Sequence, residues 1–262
     1  MAKKFKEYYG QEVAKVLADK IIKVQPSFDS KAFIDYIVNN TIDIEMSERL
    51  DVVVEAFELY ISSNCSDCFT VFEQIWGEKL TQSTGMFREG WWLWPIGRYI
   101  EKHCLENIER SYGMIYELTQ RFTGEFAIRP LLQMYPEKSL DVLIGWSCDS
   151  SVHVRRLSSE GIRIRLPWAR KLQIYSAYPK HYFQIWNTLK SDPEKCVRKS
   201  VANGINDLLK EDKQAGLDIL DIWFHDNPTL ETQWVIRHSL RWLRKQNDSQ
   251  AFFFIEKMQV RR

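Results

Sequence analysis

An internal repeat is the feature of this sequence that most restricts its fold. The stretch CDSSVHVRRLSSEGIR at 148–163 aligns without gaps on SDPEKCVRKSVANGIN at 191–206, a shift of 43 residues. A second match, LDVLIGWSCD at 140–149 on LDILDIWFHD at 217–226, has a shift of 77 residues, or two units of roughly 39. Periods near 40 residues built from helix pairs are typical of HEAT-like solenoids.

The rest of the chain also favours helices. Glycine (11) and proline (8) are scarce, and no segment combines sustained alternation with turn residues. Helical spacing of apolar residues appears in EVAKVLADKII, KAFIDYIV, ERLDVVVEAFELYI and CLENIERSYGMIYELTQRF. We therefore predict one all-α domain over 1–262, a HEAT-like α-solenoid of stacked helix pairs, with no additional C-terminal domain. In the aligned repeats, Asp149 and Asp192 are predicted N-caps of the second helices.

Helix geometry brings two carboxylates of the repeats together, because residues advance about 100° each around a helix. The residues predicted to face the core are Val154, Leu157, Ser158 and Gly161 in the first repeat and Val197, Val201, Gly204 and Leu208 in the second. The far sides carry Arg156, Glu160 and Arg163, and Lys199, Asn203 and Asp207. Second helices of consecutive repeats pack about 8–10 Å apart. Glu160 and Asp207 are thus predicted to converge, although pairing with arginines in a surface network is the alternative.

Charge is distributed unevenly along the chain although the formal net charge is only +1. Residues 41–80 hold nine acids and two bases, whereas residues 152–199 hold eleven bases and three acids. Such a local field suits a polyanion partner. The basic side chains predicted to neutralise DNA phosphates are Arg155, Arg156, Arg163, Arg165, Arg198 and Lys199. A solvated charged face that binds nothing is the alternative, and some of these arginines could pair with neighbouring acids.

Several other classes of protein are disfavoured by the sequence. The N-terminus lacks the apolar region of an export signal, and no run is long enough to span a bilayer, so a cytoplasmic location is predicted. An odd number of cysteines makes a disulfide framework improbable, and the single C-x-x-C, at Cys65 and Cys68, lacks further zinc ligands and a redox context. We predict packed, neutral cysteines there. No nucleotide-binding or metalloprotease motif occurs, and the five histidines form no ligand cluster.

Three motifs resemble those of a known family, the AlkC branch of the AlkD-like HEAT-repeat DNA glycosylases. They are RFTGEFAIRPLL at 121–132, HVRRLSSEGIRIRLPWA at 153–169 and VRKSVANGINDLLK at 197–210, with weaker agreement at 17–29 and 94–101. The resemblance covers nearly the whole chain. Two positions, Ile164 and Gly204, depart from the residues expected in these motifs, and neither is one of the carboxylates.

The resemblance implies a monofunctional glycosylase of base excision repair that removes bases carrying small alkyl groups, such as 3-methyladenine, from DNA on a concave basic face. By resemblance, the functional carboxylates are Glu125, Glu160 and Asp207, and the aromatic that would contact the cationic base is Trp168. Ordinary packing behind Pro167 is the alternative for Trp168. The implied chemistry needs a carboxylate and water, so no metal and no cofactor are expected. Double-stranded DNA is the expected partner of a chain predicted to be monomeric, with no membrane and no obligate protein partner.

Two other functions stay open at this stage. A HEAT solenoid most often serves as a protein-binding scaffold, which predicts an apolar or mixed face in place of a basic one that holds carboxylates. A catalytically silent relative that binds damaged or branched DNA is the second alternative. Loss of the acids would be its mark, and all three are present.

Overall fold

The fold is all-α. The computed structural model describes residues 4–260, which contain sixteen α-helices, three short 3-10 helices and no β-strand. The α-helices are α1 Gln11–Val24, α2 Ser30–Asn40, α3 Met46–Tyr60, α4 Cys65–Ile75, α5 Met86–Glu89, α6 Trp94–His103, α7 Ile108–Thr119, α8 Arg129–Met134, α9 Pro136–Trp146, α10 Val152–Glu160, α11 Pro179–Leu189, α12 Lys195–Glu211, α13 Lys213–His225, α14 Leu230–Ser239, α15 Arg241–Lys245 and α16 Ser249–Val260. Within 4–260, no helix is long and apolar enough to cross a membrane.

The chain divides into two compact units, Met1–Pro130 and Leu131–Arg262. The single domain predicted from the sequence stays a prediction. Each unit has its own buried apolar residues. The four helical segments expected in the N-terminal half lie in α1, α2, α3 and α7, so that part of the prediction is confirmed.

Aromatic side chains fill the core of the first unit. Phe57, Phe72 and Tyr99 are fully buried, and their rings meet edge to face, with centroids 4.9 Å apart for Phe57 and Phe72 and 5.2 Å for Phe72 and Tyr99. Such edge-to-face pairs add stability beyond the area that they bury. The packing joins α3, α4 and α6 into one core.

The C-x-x-C cysteines belong to this packing. Both Cys65 and Cys68 are buried on α4, and the Cys68 thiol donates to the backbone oxygen of Ser62 at 3.2 Å. Burial raises the pKa of Cys65 to about 12 and also raises the pKa of Cys68. A thiol that stays protonated at neutral pH is a poor nucleophile and a poor metal ligand, which agrees with the predicted packed, neutral cysteines.

Helix pairs make up the second unit, as the internal repeat predicts. We refer to α9 and α10 as the first repeat, α11 and α12 as the second, and α13 and α14 as the third. The second helices of successive repeats pack on one another, α10 on α12 and α12 on α14. All eight positions predicted to face the core, from Val154 to Leu208, are buried.

Two arginines that align in the internal repeat form hydrogen bonds to the turns inside the first and second repeats. Arg155 Nη1 donates to the backbone oxygens of Asp149 and Ser150, both at 2.9 Å, and Arg198 Nη1 donates in the same way to those of Asp192 and Pro193. Arg155 also binds the Asp192 carboxylate, with 2.6 Å between Nε and Oδ2. These bonds satisfy turn carbonyls that would otherwise need water.

The predicted N-caps are displaced by two residues. Ser151 is the residue at the N-cap of α10 and Glu194 that of α12. Asp149 accepts a hydrogen bond from the Ser151 amide at 2.7 Å, and Asp192 accepts one from the Glu194 amide at 2.8 Å. The aspartates therefore shape the turn before each helix, and the prediction that they cap the helices directly was wrong.

Gly204 permits a close approach between the two helices of the second repeat. A Cβ atom at this position would lie 2.9 Å from Trp186 Nε1 of α11, closer than such contacts occur. The indole of Trp186 is fully buried against this backbone. The departure at Gly204 is thus explained by the large neighbour that occupies the space of its missing side chain.

Candidate active site

Two acids and one arginine form a buried cluster in the second unit. Arg163 Nη1 donates to Glu160 Oε1 at 2.7 Å, and Arg163 Nε donates to Asp207 Oδ2 at 3.0 Å. Ser200 Oγ donates to the other Glu160 oxygen at 2.6 Å. Glu160 is 7% exposed and Asp207 is 2% exposed. The predicted convergence of the two carboxylates is therefore observed, with a single guanidinium between them.

The early end of α10 places Arg163 between the acids. Helix α10 stops at Glu160, so Arg163 lies in the turn that follows, off the helical path on which the sequence placed it. Helix α12 presents Ser200 and Asp207 two turns apart on the side that faces α10. The cluster thus joins the first and second repeats, and it is buried although the helical wheel had placed these residues on the side away from the core.

Electrostatics differ at the two carboxylates. Burial raises the pKa of Asp207 above its ordinary value against the opposing effect of Arg163. Burial would also raise the pKa of Glu160, but Arg156, Arg163 and the bond from Ser200 outweigh it and hold that pKa below the ordinary value. Arg163 thus acts on both carboxylates, with Arg156 as a second cation beside Glu160 and Lys210 as a second cation near Asp207.

A counterpart with a neutral acceptor lies at Asn203, between Ser200 and Asp207 on α12. Asn203 occupies the position that aligns with Glu160 across the repeat, and its Oδ1 accepts Arg241 Nη2 at 2.8 Å. Arg241 also donates to the backbone oxygen of His238 at 2.9 Å. In both repeats the aligned residue thus accepts a guanidinium, but only Glu160 brings a negative charge.

Trp168 stands at the tip of the connection between α10 and α11. The backbone oxygen of Ile164 accepts the Leu172 amide at 3.0 Å and so closes a nine-residue loop, 164–172. At its tip the Ala169 amide donates to Leu166 at 3.2 Å, and Trp168 has a left-handed φ of 64°. Such a φ is unusual for a bulky residue. Trp168 is 86% exposed, so the alternative of ordinary packing behind Pro167 was wrong.

The basic residues predicted to bind DNA occupy different environments. Lys199 and Arg165 are exposed, and Arg156 is half-buried beside Glu160. Arg163 is buried in the cluster. Arg155 and Arg198 are half-buried and donate hydrogen bonds to backbone oxygens of the turns. Their contact with DNA stays a prediction for all six.

The third predicted carboxylate, Glu125, belongs to the first unit. It is 8% exposed and lies in the turn at 125–128 that leads into α8. Its role stays a prediction.

The sequence left open the pairing of the acids with arginines, which is observed with Arg163, but it did not single out Arg163 or Ser200 as their hydrogen-bond donors. The three-residue separation of Glu160 and Arg163 was an available signal, because oppositely charged side chains at that spacing often pair. Nothing in the sequence distinguished Ser200. Within residues 4–260, no group of three or more His, Cys, Asp or Glu side chains could hold a metal ion.

Two known proteins are similar to this chain over most of its length. No protein-family model matches the chain. It is 30% identical over 247 residues to the uncharacterized protein YhaZ of Bacillus subtilis (strain 168), covering 94% of this chain and 66% of YhaZ. The solved structure of the alkylpurine DNA glycosylase AlkC of Pseudomonas fluorescens, bound to DNA containing an abasic site analog, is similar with a TM-score of 0.82 and 29% identity. That match covers 97% of this chain and 69% of the AlkC chain. The chain thus spans about two thirds of the length of each.

Proposed function

Since this chain belongs to the AlkC-type branch of the AlkD-like HEAT-repeat DNA glycosylases, we propose that it is a DNA glycosylase of base excision repair. Its partner would be double-stranded DNA, as the DNA bound to the Pseudomonas fluorescens enzyme suggests. The uneven distribution of basic residues supports the same partner.

The substrate that we propose is a cationic alkylated base such as 3-methyladenine. The observation that carries this proposal is the buried cluster of Glu160, Arg163 and Asp207, in which two carboxylates share one arginine. Carboxylates weaken the binding of phosphates, so their place within a basic stretch of the chain needs another reason. Stabilisation of positive charge on the substrate would explain why these carboxylates are present.

The chemistry follows from the charge of the substrate. An alkylated, cationic base is already a good leaving group and departs as a neutral base when its glycosidic bond breaks. Positive charge then develops on the deoxyribose, where a fixed carboxylate stabilises it. We assign this role to Glu160, whose pKa is held low. Asp207, whose pKa is raised by burial, is better suited to orient the attacking water and accept its proton as the bond to C1′ forms.

Other residues would bind the substrate. The exposed indole of Trp168 offers a π face to a cationic base, an attraction of up to about 2 kcal/mol when water is excluded. Glu125 is proposed as a third functional carboxylate on the strength of the family resemblance alone. Lys199 and Arg165 are exposed and are proposed to bind phosphates. These steps need no metal and no cofactor, and a monomer suffices for them.

The deciding experiment measures release of 3-methyladenine from duplex DNA by Asp207→Asn and Glu160→Gln variants in single turnover. Loss of a charge that stabilises the transition state should slow release about 10²- to 10³-fold. DNA affinity should persist or increase, because removing an acid lessens the repulsion of phosphates. Uracil-containing DNA is the substrate control, since a neutral base leaves poorly without acid assistance.

The matched control variant is Asp192→Asn. Asp192 is also a buried acid paired with an arginine, Arg155, but it lies in the turn before α12. Its substitution should lower the melting temperature and leave the excision rate of folded protein unchanged. If Asp207→Asn and Glu160→Gln behave like this control, the cluster is a structural ion-pair network. Absence of excision by the parental chain, with DNA binding intact, would favour the catalytically silent alternative.

A further inference from the structure

Glu211 joins both sides of the Trp168 loop, residues 164–172, to the end of α12. One of its carboxylate oxygens, Oε1, accepts a hydrogen bond from Arg165 Nε, and the other, Oε2, accepts one from Lys171 Nζ. Arg165 and Lys171 lie three residues before and three residues after Trp168. A single side chain therefore holds the two flanks of the loop together, outside the backbone bond that closes it.

Glu211 occupies a position in its own helix that is unfavourable for an acid. Glu211 is the last residue of α12, where a negative charge opposes the helix dipole. The bond from Lys171, together with that from Arg165, nevertheless keeps the pKa of Glu211 below its ordinary value despite some burial. Local helix energetics thus disfavour an acid at this position, whereas the two cations of the loop account for it.

The conformation of the loop needs an external restraint. Pro167 followed by a left-handed residue is the pattern of a tight turn whose third position usually holds glycine or asparagine. Trp168 occupies that position with a side chain that is 86% exposed, so core packing does not hold it there. A strained backbone of this kind persists only where its surroundings fix it.

We propose that Glu211 is a positioning residue that keeps the Trp168 loop closed and so fixes the position of the indole in the protein without bound DNA. The role of the indole rests on the glycosylase function proposed above, whereas closure of the loop does not. A group that is fixed in advance loses less conformational freedom on binding. Loss of two exposed ion pairs of ordinary strength should raise the equilibrium population of the open loop about three- to tenfold.

Limited digestion with trypsin tests the closure of the loop without any activity measurement. The loop contains three peptide bonds that trypsin can cleave, after Arg165, Arg170 and Lys171. In Glu211→Gln, cleavage at these bonds should accelerate about three- to tenfold, because the protease acts on the open loop. The melting temperature should stay unchanged or rise slightly, since the variant removes an acid from a helix C-terminus.

Asp248→Asn is the matched control for digestion, because it frees Lys213 from another exposed ion pair of the second unit. This variant should leave cleavage in the loop at the parental rate. The proposal is overturned if Glu211→Gln leaves loop cleavage unchanged, or if it accelerates cleavage equally throughout the second unit.

A double-variant cycle tests whether Glu211 acts through Trp168. Excision of 3-methyladenine is compared for Glu211→Gln, Trp168→Ala and the combination. We expect Glu211→Gln to slow excision about three- to tenfold in the parental chain and to have no further effect in the Trp168→Ala chain. Fully additive effects would overturn the proposal. If the parental chain releases no base, the glycosylase function fails, while the trypsin result still decides whether Glu211 closes the loop.

Discussion

Helices α10 and α12 begin alike and end differently. Both follow a turn shaped by an aspartate, and both carry an arginine that donates to the backbone oxygens of that turn. Helix α10 then stops at Glu160 after nine residues, whereas α12 continues for seventeen, to Glu211. The hydrogen bonds at the start of each helix stabilise the turn inside its repeat. Because α10 ends early, Arg163 and Trp168 lie in the non-helical segment that follows it.

The difference also separates two polar clusters on α12. In the turn after α10, Arg163 donates hydrogen bonds to the acids Glu160 and Asp207. At the aligned position on α12, Asn203 accepts Arg241 in a bond between one charged and one neutral group. The same repeat therefore produces an ionic site and a neutral one, and only the ionic site has the charge that the proposed chemistry needs.

The largest predicted difference is between Arg163→Met and Arg241→Met. Loss of Arg163 leaves two buried carboxylates without their shared cation, which should lower the free energy of unfolding by about 3–5 kcal/mol. The hydrogen bonds of Arg241 go to neutral acceptors, and Asp207 acts on it without a direct ion pair, so its loss should lower the free energy of unfolding by about 1–2 kcal/mol. Urea denaturation at neutral pH measures both. The deficit of Arg163→Met should shrink in acid, where the carboxylates take up protons, and equal losses in the two variants would contradict this comparison.

Dependence on pH should distinguish the ionic site from the neutral one. The charged groups facing Asp207 are Glu160 of α10, Arg163 of the turn after it, Lys210 of α12 and Arg241 of α15. Because burial raises the pKa of Asp207, its ionised form disappears above the ordinary aspartate value of about 4 as pH falls. The excision rate should then fall by about tenfold per pH unit below that raised pKa.

The stability contributions of the two acids have opposite signs. Asp207, with its raised pKa, stabilises the fold most at low pH, and this contribution is lost as pH rises through the folded pKa. Glu160, with its lowered pKa, stabilises the fold above its ordinary pKa and loses that contribution as pH falls. Single-turnover rates from pH 4 to 8, corrected for spontaneous loss of base, check the excision profile. A rate that is constant down to the ordinary aspartate pKa would contradict the assignment of Asp207.

A smaller effect should separate the two turn arginines. Arg155 binds two carbonyls and the buried carboxylate of Asp192, whereas Arg198 binds two carbonyls. Arg155→Met should therefore cost about 2–3 kcal/mol of unfolding free energy, against about 1 kcal/mol for Arg198→Met. Chemical denaturation measures the difference. If these arginines also bind phosphates, each variant should in addition reduce the salt dependence of DNA affinity.

The smallest effect on stability is expected for Lys199→Ala. Lys199 is exposed on α12, at the position that aligns with Arg156 of α10. Its loss should change the free energy of unfolding by less than about 0.5 kcal/mol. The slope of log affinity against log salt should fall by about 0.9 if one phosphate contact is lost. An unchanged slope in Lys199→Ala and in Arg156→Ala would place the DNA-binding surface elsewhere.

The sequence predicted features that depend on periodicity. The 43-residue shift located the helix pairs, and the 100° advance placed Val154, Val197 and their neighbours in the core. Periodicity also brought Glu160 and Asp207 toward each other across two repeats. Such inferences succeed because one regular backbone geometry applies to the whole element.

Features that depend on where a helix ends were predicted less well. The helical wheel continued α10 past Glu160 and so placed Arg163 on the side away from the core, but the helix ends at Glu160 and the guanidinium is buried. The N-caps were displaced by two residues because an aspartate can satisfy an amide of the turn as readily as one of the helix. The loop that carries Trp168 has no period, so its shape depends on contacts that the sequence pattern does not show, among them those of Glu211 with Arg165 and Lys171.

The turn before α12 links the folding of neighbouring repeats. The Asp192 carboxylate accepts Arg155 from the preceding repeat, while the Asp192 backbone oxygen accepts Arg198 from its own. If only one of the two repeats opened, the ion pair between Arg155 and Asp192 would break, and the partner in the folded repeat would lose its counter-ion. Such coupling between neighbouring repeats makes repeat arrays unfold cooperatively. The amide protons of α10 and α12 should therefore exchange with solvent through one shared opening event.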